Sequence, residues 1–99
     1  MRSYRGFVKE TMQDPYEATE YLKASLDAYE QDGNLEAFLL SLRTVVDAQG
    51  GMTELARKTA LNRQNLYRTL SEHGNPRLAT LHTILHALGL KLSIEPRTT

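Results

Sequence analysis

Cysteine is absent from the 99 residues. The chain therefore forms no disulfide, offers no thiolate nucleophile and builds no Cys-based zinc site, which fits a reducing cytoplasm. No apolar run approaches the ~20 residues that a membrane helix needs. The opening Met1-Arg2-Ser3-Tyr4-Arg5-Gly6 lacks the apolar stretch of a signal peptide. The expected location is cytoplasmic, with no membrane partner. Net charge is missing too, since 12 Lys and Arg balance 12 Asp and Glu. No phosphate-cradling loop exists: Gly50-Gly51 is followed by neither the Lys nor the second Gly of a P-loop. His82 and His86 stand four apart, a metal-binding spacing, yet no Cys or acidic residue in their helix completes a set. They read as surface histidines beside a Leu/Ile stripe. The aromatics Tyr4, Phe7, Tyr16, Tyr21, Tyr29 and Phe38 form no stacking platform and read as core or partner surface. We expect no catalytic residue, no metal and no cofactor, and hence no enzyme.

The zero net charge hides a split. Residues 1–49 carry five Lys/Arg against nine Asp/Glu, a balance of −4; residues 50–99 carry seven against three, a balance of +4. Such asymmetry suggests two surfaces with different partners. The plainer reading is an ordinary solvated acidic face on the N-terminal helices. A chain this long makes one domain, or one domain with a short extension, around a single modest core.

Helical signals dominate. Ser3 caps a short predicted helix over 4–13, with Tyr4, Phe7, Val8 and Met12 at helical spacing. Asp14-Pro15-Tyr16-Glu17 starts a second, with Asp14 at the N-cap, Pro15 at the first helical position and Glu17 completing a capping box. That helix runs to about Gln31, with Ala18, Tyr21, Leu22, Ser25, Leu26 and Tyr29 on one side. Asp32-Gly33-Asn34 stops it and caps the next, over roughly 35–48, whose Leu35, Phe38, Leu39, Leu42, Val45 and Val46 form an apolar stripe. Gly50-Gly51 ends that helix. His73-Gly74-Asn75-Pro76 is a turn, and a last helix over about 79–88 is closed by Gly89, with Leu78, Leu81, Ile84, Leu85 and Leu88 apolar. Leu90-Lys91-Leu92-Ser93-Ile94-Glu95 alternates as a strand. A lone strand leaves its backbone unpaired. It either pairs through Leu90, Leu92 and Ile94 with the same strand of a second copy, or lies as an extended tail on the domain.

Between these elements, residues 53–70 read as a short helix, a tight turn and a second helix, the layout of a helix-turn-helix. Leu55 and Ala56 face inward, and Leu61 closes the interior of the turn. Asn62 is a good N-cap for the second helix. Leu66, Thr69 and Leu70 cluster on its inner side. A step of roughly 100° per residue places Gln64 and Arg68 opposite, flanked by Arg63, Tyr67 and Ser71, with Asn65 at the edge. Arg bonds guanine O6 and N7 in the major groove, and Gln and Asn bond adenine N6 and N7. Arg63, Gln64, Asn65 and Arg68 are therefore the candidate base contacts. Arg57, Lys58, Asn62, Tyr67 and Arg77 are candidates for the DNA backbone, with the amides near Asn62 aimed at a phosphate. The alternative is a solvated polar face on an ordinary helical packing.

The chain resembles the addiction-module antidote family, the HigA-like antitoxins with a helix-turn-helix. The resemblance covers nearly its whole length. It is carried by Tyr4-Arg5, Glu10, Asp14-Pro15, Ala18, Glu20-Tyr21-Leu22, Ala24 and Leu26; by Gly50 to Thr59 and Arg63 to Arg68; and by Gly74-Asn75-Pro76-Arg77-Leu78 through Ala87-Leu88-Gly89-Leu90-Lys91-Leu92. It implies an all-α, lambda-repressor-like helix-turn-helix bundle: a helical extension over 1–49 packed on the core, then a DNA-binding region over 50–99 with a short C-terminal strand paired across a dimer. It also implies a cytoplasmic homodimer that represses its own operon and neutralises a small basic toxin of the RelE/ParE-like fold. Asp14, Tyr16, Glu17, Glu20 and Asp27 are the candidate toxin surface, joined by Glu30, Asp32, Tyr21 and Tyr29; the C-terminal strand is the alternative. Two departures stand out. Ala60 occupies the turn where many of the wider repressor superfamily carry Gly, at a cost of roughly 1–2 kcal/mol if it is left-handed. Gly51-Met52-Thr53 replaces the Thr-Gln that often opens the first motif helix, so no Gln phosphate contact carries over. Other readings are a stand-alone phage-type repressor without a toxin, and a helix-turn-helix used only for protein contact.

Overall fold

A computed structural model describes residues 10–98. The predicted first helix over 4–13 lies outside the described residues except for its last turn, where Met12 is buried. Five helices follow: α1 (Pro15–Asp32), α2 (Leu35–Ala48), α3 (Gly51–Thr59), α4 (Arg63–Thr69) and α5 (Leu78–Ala87). α1 packs on α2, α2 on α3, and α3 on both α4 and α5.

Local chemistry sets the boundaries. The Asp14 carboxylate accepts from the Tyr16 N–H at 2.8 Å and Pro15 opens α1. The expected capping box is only half formed, because the Asp14 N–H donates to the Thr11 carbonyl instead. Gly33, at φ 69°, closes α1 by donating to the Tyr29 carbonyl. Asn34 then caps α2 through the Ala37 N–H at 3.1 Å.

α2 is the centre of the core. Phe38, Leu39, Leu42, Val45, Val46 and Ala48 are buried along it and meet Ala18 and Leu22 of α1, Met52 and Leu55 of α3, Leu66 and Leu70 around α4, and Ile84 of α5. Each Val, Leu, Ile, Met or Phe among them contributes about 1.5–3 kcal/mol by leaving water. The periodicity overstates burial in two places: Leu26 of α1 and Leu78 at the start of α5 are exposed. Each has solvent rather than a neighbouring helix over its face. The Gln49 side-chain amide donates to the Met12 carbonyl, tying the N-terminal segment to the end of α2.

Gly74 serves close approach in the connection from α4 to α5. A Cβ there would lie 2.0 Å from the Thr69 carbonyl oxygen, so no other residue fits without moving backbone. At the end of α5 the Gly89 N–H donates to the His86 carbonyl and the Leu90 N–H to the Leu85 carbonyl. These two bonds make a Schellman stop.

The predicted C-terminal strand does not form. Residues 90–98 carry no strand, and none occurs among the described residues. Leu90 packs partly against the core, whereas Leu92 is exposed and Ile94 is 98% exposed. Alternating side chains favour a pleated backbone, but a ladder needs a second edge, and this single chain of helices supplies none.

Candidate nucleic-acid interface

α3 and α4 are joined by Ala60, Leu61 and Asn62. Ala60 is left-handed, at φ 59° and ψ 18°, and is the lone non-glycine with positive φ among the described residues. Three local contacts hold it there. Its N–H donates to the Ala56 carbonyl at 3.0 Å. The Thr59 hydroxyl donates to the Leu55 carbonyl at 2.7 Å and accepts the Leu61 N–H at 3.2 Å. Leu61 is partly buried against the core, so the turn is packed as well as bonded.

Asn62 then starts α4. Its side-chain oxygen accepts the N–H groups of Gln64 at 2.8 Å and Asn65 at 3.3 Å. Those amides, expected to point at a phosphate, are therefore already satisfied inside the protein. What Asn62 still offers outward is its NH₂ group. Leu66 and, just past the helix, Leu70 are buried, and Thr69 is half-buried beside them. Arg63, Gln64, Asn65, Tyr67 and Arg68 are all exposed. The helix thus carries one dry side and one side of guanidinium and amide groups, the donor and acceptor set that base edges complement.

Several of these groups are held. Arg63 reaches across to α3, donating to the Thr53 hydroxyl at 3.0 Å. Arg43 of α2 lies over the Tyr67 ring, its guanidinium carbon 5.2 Å from the centroid. Arg57 is clasped by Glu54, with Nε donating to Oε2 at 3.0 Å and Nη2 paired with Oε1. The hydrogen bond to Arg57 holds the Glu54 carboxyl below its ordinary range, and the same bond raises Arg57. An incoming phosphate must compete with that carboxylate for Arg57. Lys58 and Arg77 are exposed, Arg77 at the N-cap position of α5. Lys58 borders a shallow groove between α3 and α5 lined also by His82 and His86. Those two imidazoles stack with centroids 5.6 Å apart. No group of three potential ligands for a metal occurs among the described residues.

In the N-terminal half, Asp14, Tyr16, Glu17, Glu20 and Asp27 are exposed on and before α1, with Tyr16 84% exposed. Tyr21 and Tyr29 pack partly into the core instead, so Tyr16 is the aromatic that α1 presents. Among the described residues no helix is long and apolar enough to cross a membrane.

The family model described as "Probable addiction module antidote protein" matches residues 7–96. The chain belongs to this family. As an antidote it has an antitoxin's role in an addiction module, which implies a toxin for it to counter. It is also similar, at 32% identity over 76 residues, to a Haemophilus influenzae protein described as "Uncharacterized protein"; the match covers 77% of each chain. No solved structure matches the antidote.

Sequence reasoning missed three of the contacts around this face. The Glu54–Arg57 clasp was legible as an i,i+3 pair of opposite charges on one helix. Thr53 beside Arg63 and Arg43 over Tyr67 join separate helices, and no spacing announces them.

Proposed function

We propose that this antidote is a cytoplasmic, DNA-binding antitoxin. It represses its own operon as a homodimer and neutralises a small basic toxin of the RelE/ParE-like fold. The unit α3–turn–α4 acts as a helix-turn-helix, with α4 as the recognition helix. The supporting observation is the exposed set Arg63, Gln64, Asn65 and Arg68 over the buried Leu66 and Leu70, directly after a capped and packed turn. In this reading residues 50–99 form the operator-facing region, with Arg57, Lys58, Asn62, Tyr67 and Arg77 on phosphates. Residues 1–49, whose α2 is also the centre of the core, meet the toxin through Asp14, Tyr16, Glu17, Glu20 and Asp27. The balance of −4 in that half suits a basic partner. One recognition helix reads only a few base pairs, and two related by a dyad read a palindrome with half-sites about one turn apart.

Titration of the protein against its own upstream DNA, at several salt concentrations, tests this reading. Arg63→Ala or Gln64→Ala weakens binding to the specific site by about 1–3 kcal/mol per lost bidentate contact. Lys58→Ala lowers affinity on every sequence and flattens the salt dependence. A wild-type protein with no salt-dependent binding to its own promoter overturns the DNA half. Co-purification from the native host tests the toxin half, and recovery of the antidote alone counts against it.

A further inference from the structure

The outward side of α4 is pinned from two neighbouring helices. Thr53 of α3 holds Arg63, and Arg43 of α2 holds Tyr67. The second contact has features that ordinary surface packing does not explain. Arg43 sits within the roughly 6 Å over which a guanidinium is attracted to an aromatic face. Its Nε is buried and makes no hydrogen bond. Asp47, one turn along α2, forms an ion pair with it at 3.9 Å, beyond hydrogen-bond distance. Beside that ion pair, the guanidinium carbon lies over the Tyr67 ring. A planar guanidinium stacks on such a ring as an ammonium does not.

On α4, Tyr67 follows Gln64 by three residues and Arg63 by four, so its ring borders both of those side chains on the helix surface. We propose that Arg43 is a positioning residue of the outward face of α4: seated on the Tyr67 ring, it fixes that ring beside Arg63 and Gln64 and so pre-orders the surface for DNA. The inference rests on the DNA-binding reading above. Arg43 acts through Tyr67 and touches no phosphate itself. It also belongs to the acidic half of the chain and to α2, on which α1 packs.

The test is a double-mutant cycle on upstream-DNA affinity with Arg43→Ala, Arg43→Lys, Tyr67→Leu and the Arg43→Ala/Tyr67→Leu double. Thermal melting of each variant confirms folding. Arg43→Ala is expected to weaken specific binding about threefold to tenfold. Its salt slope stays that of the wild type, because Tyr67 is uncharged and no cation in contact with a phosphate is lost. Arg43→Lys, which keeps the charge and stays folded, shows most of the same loss. In the Tyr67→Leu background Arg43→Ala has no further effect. In the free protein, NMR shows the Arg43 side-chain protons shifted upfield by the ring, a shift that Tyr67→Leu abolishes. Wild-type binding combined with an unchanged Arg43→Ala protein, full rescue by Lys, or additive losses overturns the positioning role alone. Absence of wild-type binding overturns the DNA reading and this role with it, while the NMR shift still reports whether the contact exists.

Discussion

Ala60 sits at φ 59° with an exposed side chain, so its Cβ adds strain without adding packing. A left-handed Ala costs roughly 1–2 kcal/mol, and part of any gain from Gly is returned as unfolded-state entropy. Ala60→Gly is therefore expected to stabilise the protein by about 0.5–1 kcal/mol, read as a higher urea midpoint at constant slope. The same turn shows what the residues disclosed beforehand. The left-handed position was legible as a question, because Gly is the usual occupant; the Thr59 hydroxyl that secures it on both sides was not. Glu54 gives a second residue-scale test. Its folded pKa is depressed, chiefly by the Arg57 hydrogen bond. The clasp is thus fully formed above the unfolded carboxyl's pKa and is lost as pH falls through the lower, folded value. NMR titration of the Glu54 carboxyl is expected to give a midpoint below the ordinary one, and Arg57→Ala to return it there. An unshifted wild-type midpoint would contradict the clasp.

α4 is seven residues long, far below the length at which a helix holds itself in water. It persists because Leu66 and Leu70 are buried and because Asn62 satisfies two amides of its first turn. Asn62→Ala is expected to cost about 1 kcal/mol in global stability. It should also raise hydrogen exchange at the Gln64 and Asn65 amides beyond that global change; equal protection in both proteins would show that packing alone holds the helix start. Elements with polar punctuation were readable in advance, because Asp14, Asn34, Asn62, Gly33 and Gly89 each satisfy a backbone group within a few residues. Elements defined by what lies across from them were not. The alternation of residues 90–95 states a face but names no partner strand, and the apolar spacing that includes Leu26 and Leu78 does not reveal where solvent begins.

The extended segment after Leu90 matters most for the whole molecule. Ile94 is almost fully exposed, and the backbone around it is in no sheet. We propose that two such segments meet in the homodimer, where a second copy supplies the edge that a single chain lacks. Ile94→Asp is then expected to convert a wild-type dimer into a monomer by light scattering at micromolar concentration, without altering helix content. A wild-type monomer at that concentration overturns strand pairing. The charge partition of −4 and +4, first a property of sequence halves, is carried by a chain in which α1 contacts α2 while α4 contacts α3. Such a molecule is expected to carry an electric dipole moment despite having no net charge. A neutral body with a dipole is turned by a polyanion before it is pulled toward one. The torque falls away once dissolved salt shortens the Debye length to about 8 Å, at physiological ionic strength.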